Sequence, residues 1–488
     1  MDEILSRELI ENSEKEVIKN LSRDIRFDLP EKVLQFGTGG FLRGFTDYLI
    51  ERANKEHLFN GSVLVVKSTP GSAANFARQD NLYTLNIRDK DINEFIISAP
   101  ISRVVSALDQ WEVLLEAAQN KDIQLVISNT TEAGLQFTDE DLSGSQTPNS
   151  FPGKLTTLLY KRYQALGGTA ESGWVILPCE LVVNNGNVLR EMVLKLAERN
   201  GFGPAFTNWI SDHNRFCNTI VDRIIPGKPD AGQQQKTFDH LGYKDQLLLE
   251  CESYLLWAIE GDQQVRDALE FARIDKRVII TSDIEPYREQ KLRLLNGTHT
   301  ISVPLSFLCG LETVHQAVHD PLVSRFIQHV MQEEIAPTLE GISPEPSTYA
   351  NEVFARFQNP HIEHLLLNIM FQQSTKMTLR NSATIQRYFE RFGTAPRHMA
   401  LGFAAYLCYM QSPDPSVQDD QATRISALWE GNSPETVVRQ AVEILKLTAD
   451  EQQAKNFTAS VLPFLKALLE DSARNTLETF LNTNPATP

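Results

Sequence analysis

Between residues 286 and 299 the chain reads Pro286-Tyr287-Arg288-Glu289-Gln290-Lys291-Leu292-Arg293-Leu294-Leu295-Asn296-Gly297-Thr298-His299. An amine, an amide and an imidazole follow one another at short spacing. On one regular helix at ~100° per residue, with Lys291 at 0°, His299 falls near ~80° and Asn296 near ~140°. One face then carries all three beside apolar Leu295. A lysine desolvated on such a face loses proton affinity and can act as a general base near neutral pH. An amide can donate to a developing alkoxide. An imidazole can fix a substrate by a hydrogen bond. On spacing alone a solvated lysine and an ordinary satisfied histidine are the simpler reading.

A metal centre is not expected. His315 and His319 have the i, i+4 spacing of a zinc helix, but Gln316 stands where the H-E-x-x-H pattern needs its glutamate. The cysteines, Cys179, Cys217, Cys251, Cys309 and Cys408, are odd in number and scattered, with no C-x-x-C pair. This pattern suits reduced thiols in a cytoplasmic protein. Neither G-x-S-x-G nor a P-loop is present.

A second set of residues points to a dinucleotide. The segment Gln35-Phe36-Gly37-Thr38-Gly39-Gly40-Phe41-Leu42-Arg43-Gly44 follows an apolar run and opens a helix. Glycine lets a backbone turn tightly and approach a pyrophosphate, and a helix N-terminus adds partial positive charge. Gly37, Gly39, Gly40, Phe41 and Arg43 are the candidate cofactor residues of this loop. The usual third glycine would fall at Leu42, so the fingerprint is incomplete. The next strand ends Val66-Lys67-Ser68 rather than in an acid, which leaves NADP open beside NAD. A later strand ends Ser128-Asn129-Thr130-Thr131-Glu132-Ala133-Gly134. Polar residues there face the ligand crevice of an open α/β sheet, so Asn129, Thr131 and Glu132 join the cofactor set.

The elements that must position these groups fall into two halves. Runs at 33–36, 62–66, 125–128, 174–177 and 277–281 read as buried strands. Helical stretches at 41–54, 107–119 and 151–165 lie between them. Short β-branched runs separated by helices imply βαβ units and a mostly parallel sheet. Beyond Pro286 the texture is helical, at 299–320, 321–335, 361–374, 398–411, 434–448 and 450–470. The expected fold is an α/β Rossmann-like domain over 1–283 followed by an all-α domain over 284–488. The charge is 46 basic against 63 acidic residues, net −17. That disfavours nucleic acid as a partner and leaves room for a local basic pocket around a small anion. No apolar run reaches the length of a membrane span, and residues 1–20 read as a charged surface helix, not a leader. Oligomeric state is not legible.

Taken together, these segments resemble the long-chain polyol dehydrogenases of the mannitol dehydrogenase family. The likeness rests on Gly37 to Arg43, Asp80-Asn81-Leu82-Tyr83-Thr84, Thr131-Glu132-x-Gly134 and Asn185-Gly186. It continues through Thr219-Ile220-Val221-Asp222-Arg223-Ile224, Lys291-x4-Asn296-Gly297-x-His299 and Arg356-Phe357-x-Asn359-Pro360. Residues 128–134 and Phe151-Pro152-x-Lys154-Leu155-Thr156 look most like the branch that acts on a sugar acid. The resemblance implies a metal-free, NAD-dependent secondary alcohol dehydrogenase with substrate bound between the two domains. It makes Lys291 the acid/base and Asn185 and Asn296 the pair that polarises a carbonyl, with His299 orienting the substrate. It places Asp222, Arg356 and, more weakly, His364 near the substrate. Mannitol-type members carry a glutamate three residues before the base, where this chain has Arg288. A cation in that place suits a substrate carboxylate. The rival substrates are a neutral polyol or mannonate, and the rival from another class is a silent NAD-binding sensor.

Overall fold

A computed structural model describes residues 3–144, 146–414 and 418–483. It folds as two compact units, the first ending at Ile284 and the second starting at Glu285.

The first unit is built on strands β1 (Glu31–Phe36), β2 (Ser62–Lys67), β3 (Tyr83–Arg88), β4 (Asn93–Ser98), β5 (Ile101–Ser106), β6 (Leu125–Ser128), β7 (Val175–Pro178) and β8 (Arg215–Phe216). Six of them form one sheet in the order β5-β2-β1-β6-β7-β8, and every neighbouring pair is parallel. Strands β2 and β6 are buried along their whole length, as a sheet covered on both faces requires. Alternate residues of β1 feed two cores. Val33 packs with Val63, Val65, Leu125 and Ile127 on one face. Leu34 and Phe36 pack with Leu64, Val66, Val126 and Ile176 on the other. The chain leaves β1 toward β2 on one side and returns at β6 on the other, so the strand order reverses between β1 and β6. That reversal point is where open α/β sheets place a ligand.

The expected strand near 277–281 does form, but outside this sheet. Strands β9 (Thr219–Asp222), β11 (Leu256–Glu260) and β12 (Val278–Thr281) make a separate three-stranded sheet, and β10 (Leu249–Cys251) joins β3 and β4. The expected helix at 41–54 is two pieces, Gly40–Arg43 and Thr46–Lys55. The expected surface helix at 1–20 is also two pieces, Arg7–Asn12 and Glu16–Leu21. Helix Phe151–Leu166 forms as expected. Ser150 caps it, and Gly167 ends it in the left-handed conformation.

The named elements of the second unit are all helical among its described residues. Its centre is helix Arg397–Gln411, buried at nearly every position, which packs on Thr298–Leu308 and Glu451–Glu470. A Cβ on Gly402 would lie 2.4 Å from the Ile301 carbonyl oxygen, so glycine is what lets the first two of these helices cross so closely. The expected helix at 361–374 is only Leu366–Met370. The long helix Gln373–Phe392 and helix Pro346–Phe357 stand where none was expected. Among the described residues no helix is long and apolar enough to cross a membrane.

Candidate active site

The segment that carries Lys291 is not one regular helix. Residues Glu285–Gln290 are α-helical, Lys291–Gly297 are wound as a π-helix, and Thr298–Leu308 return to α. Hydrogen bonds in a π-helix run from i to i+5, so the turn is wider and rotation per residue smaller. Lys291 and Asn296 are five residues apart. In an α-helix they would diverge by ~140°; the wider winding turns them toward one side. The angular layout drawn from a regular helix is therefore corrected by this segment, and toward a tighter grouping.

The π-wound segment is clamped against its neighbour, helix Gln373–Phe392. Arg293 is buried and donates from Nη1 to the Leu379 and Arg380 carbonyl oxygens at 2.7 and 2.9 Å. Glu289 pairs with Arg293 and with Arg387. Asn381 Nδ2 donates to the Gly297 carbonyl at 3.1 Å, and Gln373 Nε2 to the Thr300 carbonyl at 2.6 Å. A Cβ on Gly297 would meet the Arg380 carbonyl oxygen at 3.3 Å. The glycine after Asn296 thus serves helix–helix approach rather than chemistry. These side-chain bonds take up backbone carbonyls within the segment and beside it.

His299 is buried, with its ring 4.2 Å from Phe357 and 5.2 Å from His364, centroid to centroid. Burial, then the charges of His364, Arg380, Arg356 and Lys376, holds its pKa well below the ordinary value. A neutral imidazole can donate or accept a hydrogen bond, as an orienting group requires. Arg356 is buried at the last turn of helix Pro346–Phe357. His364 is held by the Val314 amide on its carbonyl at 3.0 Å, and burial lowers its pKa too. Lys291 and Asn296 are half-buried. Arg288 donates to Glu285 Oε2 at 2.5 Å across one turn.

The other candidates belong to the first unit. Gly37 has φ +133°, and a Cβ there would meet the Asn129 carbonyl oxygen at 3.1 Å, so the turn after β1 requires glycine. A Cβ on Gly39 would meet no protein atom within 4 Å. It faces open space beside a cleft of about 480 Å³ bounded by Gly37–Gly39, Ser68, Thr69, Asn129–Thr131 and Lys154. A Cβ on Gly40 would lie 3.1 Å from the Leu249 side chain, and one on Gly44 2.9 Å from that of Ile225. These glycines provide the close approach that the fingerprint's third glycine usually gives, while Leu42 fills the core. Arg43 is buried and donates to the Leu247 carbonyl at 2.7 Å and to Thr38 at 3.4 Å. Tyr83 donates to the Arg43 carbonyl at 3.0 Å, and Arg223 to that of Gly44 at 2.7 Å. Phe41 stacks on Phe45. These groups brace the loop from beneath.

Lys67 turns its amine onto the Thr69 and Pro70 carbonyls of its own turn. Asn129 donates to the Cys179 carbonyl at 3.3 Å. Thr131 sits at φ +74°. The Glu132 side chain lies outside the described residues. Asp222 ends β9 and is buried. Asn185 is buried. Its Nδ2 donates to the Pro178 and Glu180 carbonyls at 2.8 and 3.1 Å, and its Oδ1 accepts from the Thr219 and Gly186 amides. Both ends of that amide are thus occupied in joining β7, β9 and helix Asn185–Arg199.

Two groups escaped the sequence reading. Glu180 is buried and accepts from the Thr130 amide at 2.8 Å, Thr130 Oγ1 at 3.0 Å and Ser128 Oγ at 3.1 Å, which shapes the turn after β6. No periodicity marks it. Lys154 borders the cleft, its amine on the Asn149 carbonyl at 2.8 Å, and burial lowers its pKa. In the sequence it entered only as part of the resemblance. The His315 and His319 rings lie 4.1 Å apart, tilted by 33°, and Gln316 closes a capping box with Thr313. Among the described residues one group, His329, Glu333 and His398, has possible ligand atoms within 4.8 Å of one another. His329 and His398 are hydrogen-bonded to each other at 3.2 Å, and His398 to Glu334 at 3.0 Å.

A glycine turn at the reversal point of a parallel sheet, followed by a helical unit with an amine–amide–imidazole group, defines a class: a dinucleotide-type α/β domain joined to an all-α domain. Residues 31–272 match the mannitol dehydrogenase Rossmann domain and 283–469 the mannitol dehydrogenase C-terminal domain. The chain belongs to the mannitol dehydrogenase family. It is 42% identical over 402 residues to an altronate oxidoreductase of Bacillus subtilis (strain 168), covering 80% of this chain and 82% of that one. It is 34% identical over 472 residues to an altronate oxidoreductase of Pectobacterium carotovorum subsp. carotovorum (strain PC1), covering 92% and 96%. In fold it is similar to a D-sorbitol dehydrogenase crystal structure, with TM-score 0.79 and 21% identity over 97% of this chain and all of the other. It is also similar to the Pseudomonas fluorescens mannitol 2-dehydrogenase ternary complex with NAD and D-mannitol, with TM-score 0.68 and 22% identity over 98% and 99%.

Proposed function

We propose that the protein is an NAD-dependent oxidoreductase that interconverts D-tagaturonate and D-altronate, a step of hexuronate breakdown, with Lys291 as acid/base. The observation that carries the chemistry is the winding that turns Lys291 and Asn296 to one side, one turn before buried His299. The sugar-acid reading draws on the altronate oxidoreductase relatives.

The first unit suits a dinucleotide. A positive-φ glycine, an open face at Gly39 and the cleft beside it accommodate a pyrophosphate against the backbone. Lys154, Asn129 and Thr131 are the side chains placed to hold it, with Glu132 carried from the sequence. NAD supplies the hydride acceptor or donor when bound. The amine of Lys67 is held by its own turn, so it gives no support to a 2′-phosphate.

In the reducing direction a hydride adds to the ketone carbon and the carbonyl π pair moves onto oxygen. Asn296 donates a hydrogen bond to that oxygen as its charge grows. The Lys291 ammonium then gives it a proton, leaving an alcohol and a neutral amine. Oxidation reverses each step. His299, neutral, orients a neighbouring hydroxyl, and Asp222, Arg356, His364 and Arg288 are further substrate-binding candidates. Asn185 was expected to share the polarising role, but its amide is occupied by backbone, so we assign that role to Asn296.

The test is a panel of D-tagaturonate, D-fructuronate and D-fructose, each reduced with NADH and compared by kcat/KM. Tagaturonate should lead by at least about tenfold. A lead for fructose or fructuronate would move the assignment to mannitol or mannonate chemistry. Turnover of none, with NADH still bound, would make the protein a sensor.

A further inference from the structure

Helix Pro321–His329 runs into a second π-wound stretch, Val330–Ile335. Winding from i to i+5 keeps Glu334 as well as Glu333 on the side of His329, where a regular helix would turn Glu334 away. Glu334 is buried and fully engaged. Its Oε1 accepts from the His398 amide at 2.7 Å and from His398 Nδ1 at 3.0 Å, and its Oε2 accepts from the Met399 amide at 2.8 Å. It thereby caps the start of helix Arg397–Gln411, whose own N-cap residue, Pro396, makes no side-chain bond there. An ionised carboxylate only accepts, so Nδ1 carries the proton and the lone pair of a neutral His398 lies on Nε2. That lone pair is aimed at His329 Nδ1, 3.2 Å away. Glu333 Oε1 lies 3.9 Å from the same Nδ1. Phe326 and Phe480 lie against the His398 ring, 6.2 and 4.9 Å away between centroids.

Two imidazole nitrogens and a carboxylate oxygen thus lie within 4.8 Å of one another. A further carboxylate holds one imidazole by its far nitrogen, and aromatic rings flank it, as the outer shell of a metal site does. Ligand atoms of a tetrahedral zinc site stand about 3.4 Å apart, given Zn–N and Zn–O bonds of ~2.0–2.2 Å. The two nitrogens already stand near that separation. Glu333 reaches it by a small shift of a side chain that is 41% exposed.

We infer that His329 Nδ1, His398 Nε2 and the Glu333 carboxylate bind one divalent transition-metal ion, with water in the fourth position. Imidazole ligands suit zinc, whereas magnesium and calcium take oxygen ligands. The ion takes the place of the proton between the two imidazoles, and His329 then carries its proton on Nε2. It ties the end of helix Pro321–His329 to the start of helix Arg397–Gln411, the centre of the second unit, and so stabilises that unit. None of its ligands is among the active-site residues, and it takes no part in hydride transfer, so the inference is independent of the substrate reading. Sequence spacing hides the site, since His329 and His398 are 69 residues apart.

The test uses the full chain, stripped with EDTA and desalted. Zn2+ is titrated in against a chromophoric chelator for wild type, His329→Gln, Glu333→Gln and His315→Gln. One Zn2+ should bind per wild-type chain. Affinity should fall at least about tenfold in His329→Gln and in Glu333→Gln, and stay as in wild type in His315→Gln, which breaks the other histidine pair. Co2+ in place of Zn2+ should give the visible absorption of a tetrahedral site, lost in His329→Gln. In calorimetry Zn2+ should raise the wild-type Tm by at least about 3 °C and Mg2+ should not. If far-UV circular dichroism shows His329→Gln unfolded, the exposed Glu333→Gln decides alone. A folded wild type that binds no Zn2+, binding equal in wild type and both ligand variants (as at a cysteine), or binding lost only in His315→Gln overturns the site. Zn2+ held at the site with no rise in Tm overturns its stabilising role.

Discussion

Lys291 opens a π-wound turn whose other end holds Asn296, and this pairing is the chemical core of the account. Replacing the amine by a methyl removes the proton donor without touching the glycine loop. Lys291→Ala should therefore lower kcat for tagaturonate reduction by ~10²–10⁴, the usual range for a positioned acid–base group, with NADH affinity nearly intact. Stopped-flow turnover and NADH titration on the same preparation check both halves. Activity above about half of wild type would remove Lys291 from the role. The amine and its partners were visible in the sequence as residue types, but the winding that groups them was not. The segment is held by Arg293, Asn381 and Gln373 bonding between helices distant in sequence, and no local pattern records that.

The elements divide in the same way. The β1 turn was legible because apolar run, glycines and helix follow directly in sequence. Its glycines carry different duties, which spacing could not sort: Gly37 meets a backbone need, Gly40 and Gly44 meet packing needs, and Gly39 meets neither. Gly39→Val should consequently fold as the wild type does, since its new side chain points into open space, yet lose NADH affinity because that space is the proposed pyrophosphate site. Equal NADH titrations for variant and wild type would reduce the loop to a turn. Beneath the loop, Asp47 is fully buried, accepts from Gln35 Nε2 at 3.2 Å, and is pushed up to about 7 by burial. Its folded value exceeds the unfolded one, so its stabilising protonation is complete below ~4 and is lost as pH rises through about 7. Asp47→Asn keeps the hydrogen-bonding shape without the charge. Its Tm advantage over wild type should grow between about pH 5 and pH 8.5; a difference that is flat with pH would contradict the buried charge. Helix Gln373–Phe392 was missed because its inner face is largely polar, with Gln373, Ser374, Asn381 and Thr384 buried among few apolar residues. Hydrophobic periodicity cannot find a helix held by polar clamps.

For the whole molecule, the sequence made the class plain: β-branched runs with helices between them, then helices alone. What it could not fix was which strand joins which sheet, as β12 shows, because pairing there depends on distant β11. A net charge of −17 repels an anionic substrate at long range, and a Debye length of ~8 Å confines that field. On the sugar-acid reading, recognition of the substrate's charge must therefore be local. The cofactor has a global signature too. Four of the five tryptophans, Trp111, Trp174, Trp209 and Trp257, are buried in the first unit, so tryptophan fluorescence mainly follows its unfolding. NADH at ~100 times its Kd should stabilise that transition by about 2.7 kcal/mol, and Gly39→Val should abolish the shift. A shift equal in both would place the cofactor elsewhere.

The central claim is hydride transfer to the ketone of a sugar acid. The measurement that reaches it most directly is product analysis after incubating the enzyme with D-tagaturonate and NADH deuterated at the transferable position. The expected product is D-altronate carrying one deuterium on the former ketone carbon. Tagaturonate recovered unchanged beside active reduction of a neutral ketose, or an epimer other than D-altronate, would contradict it.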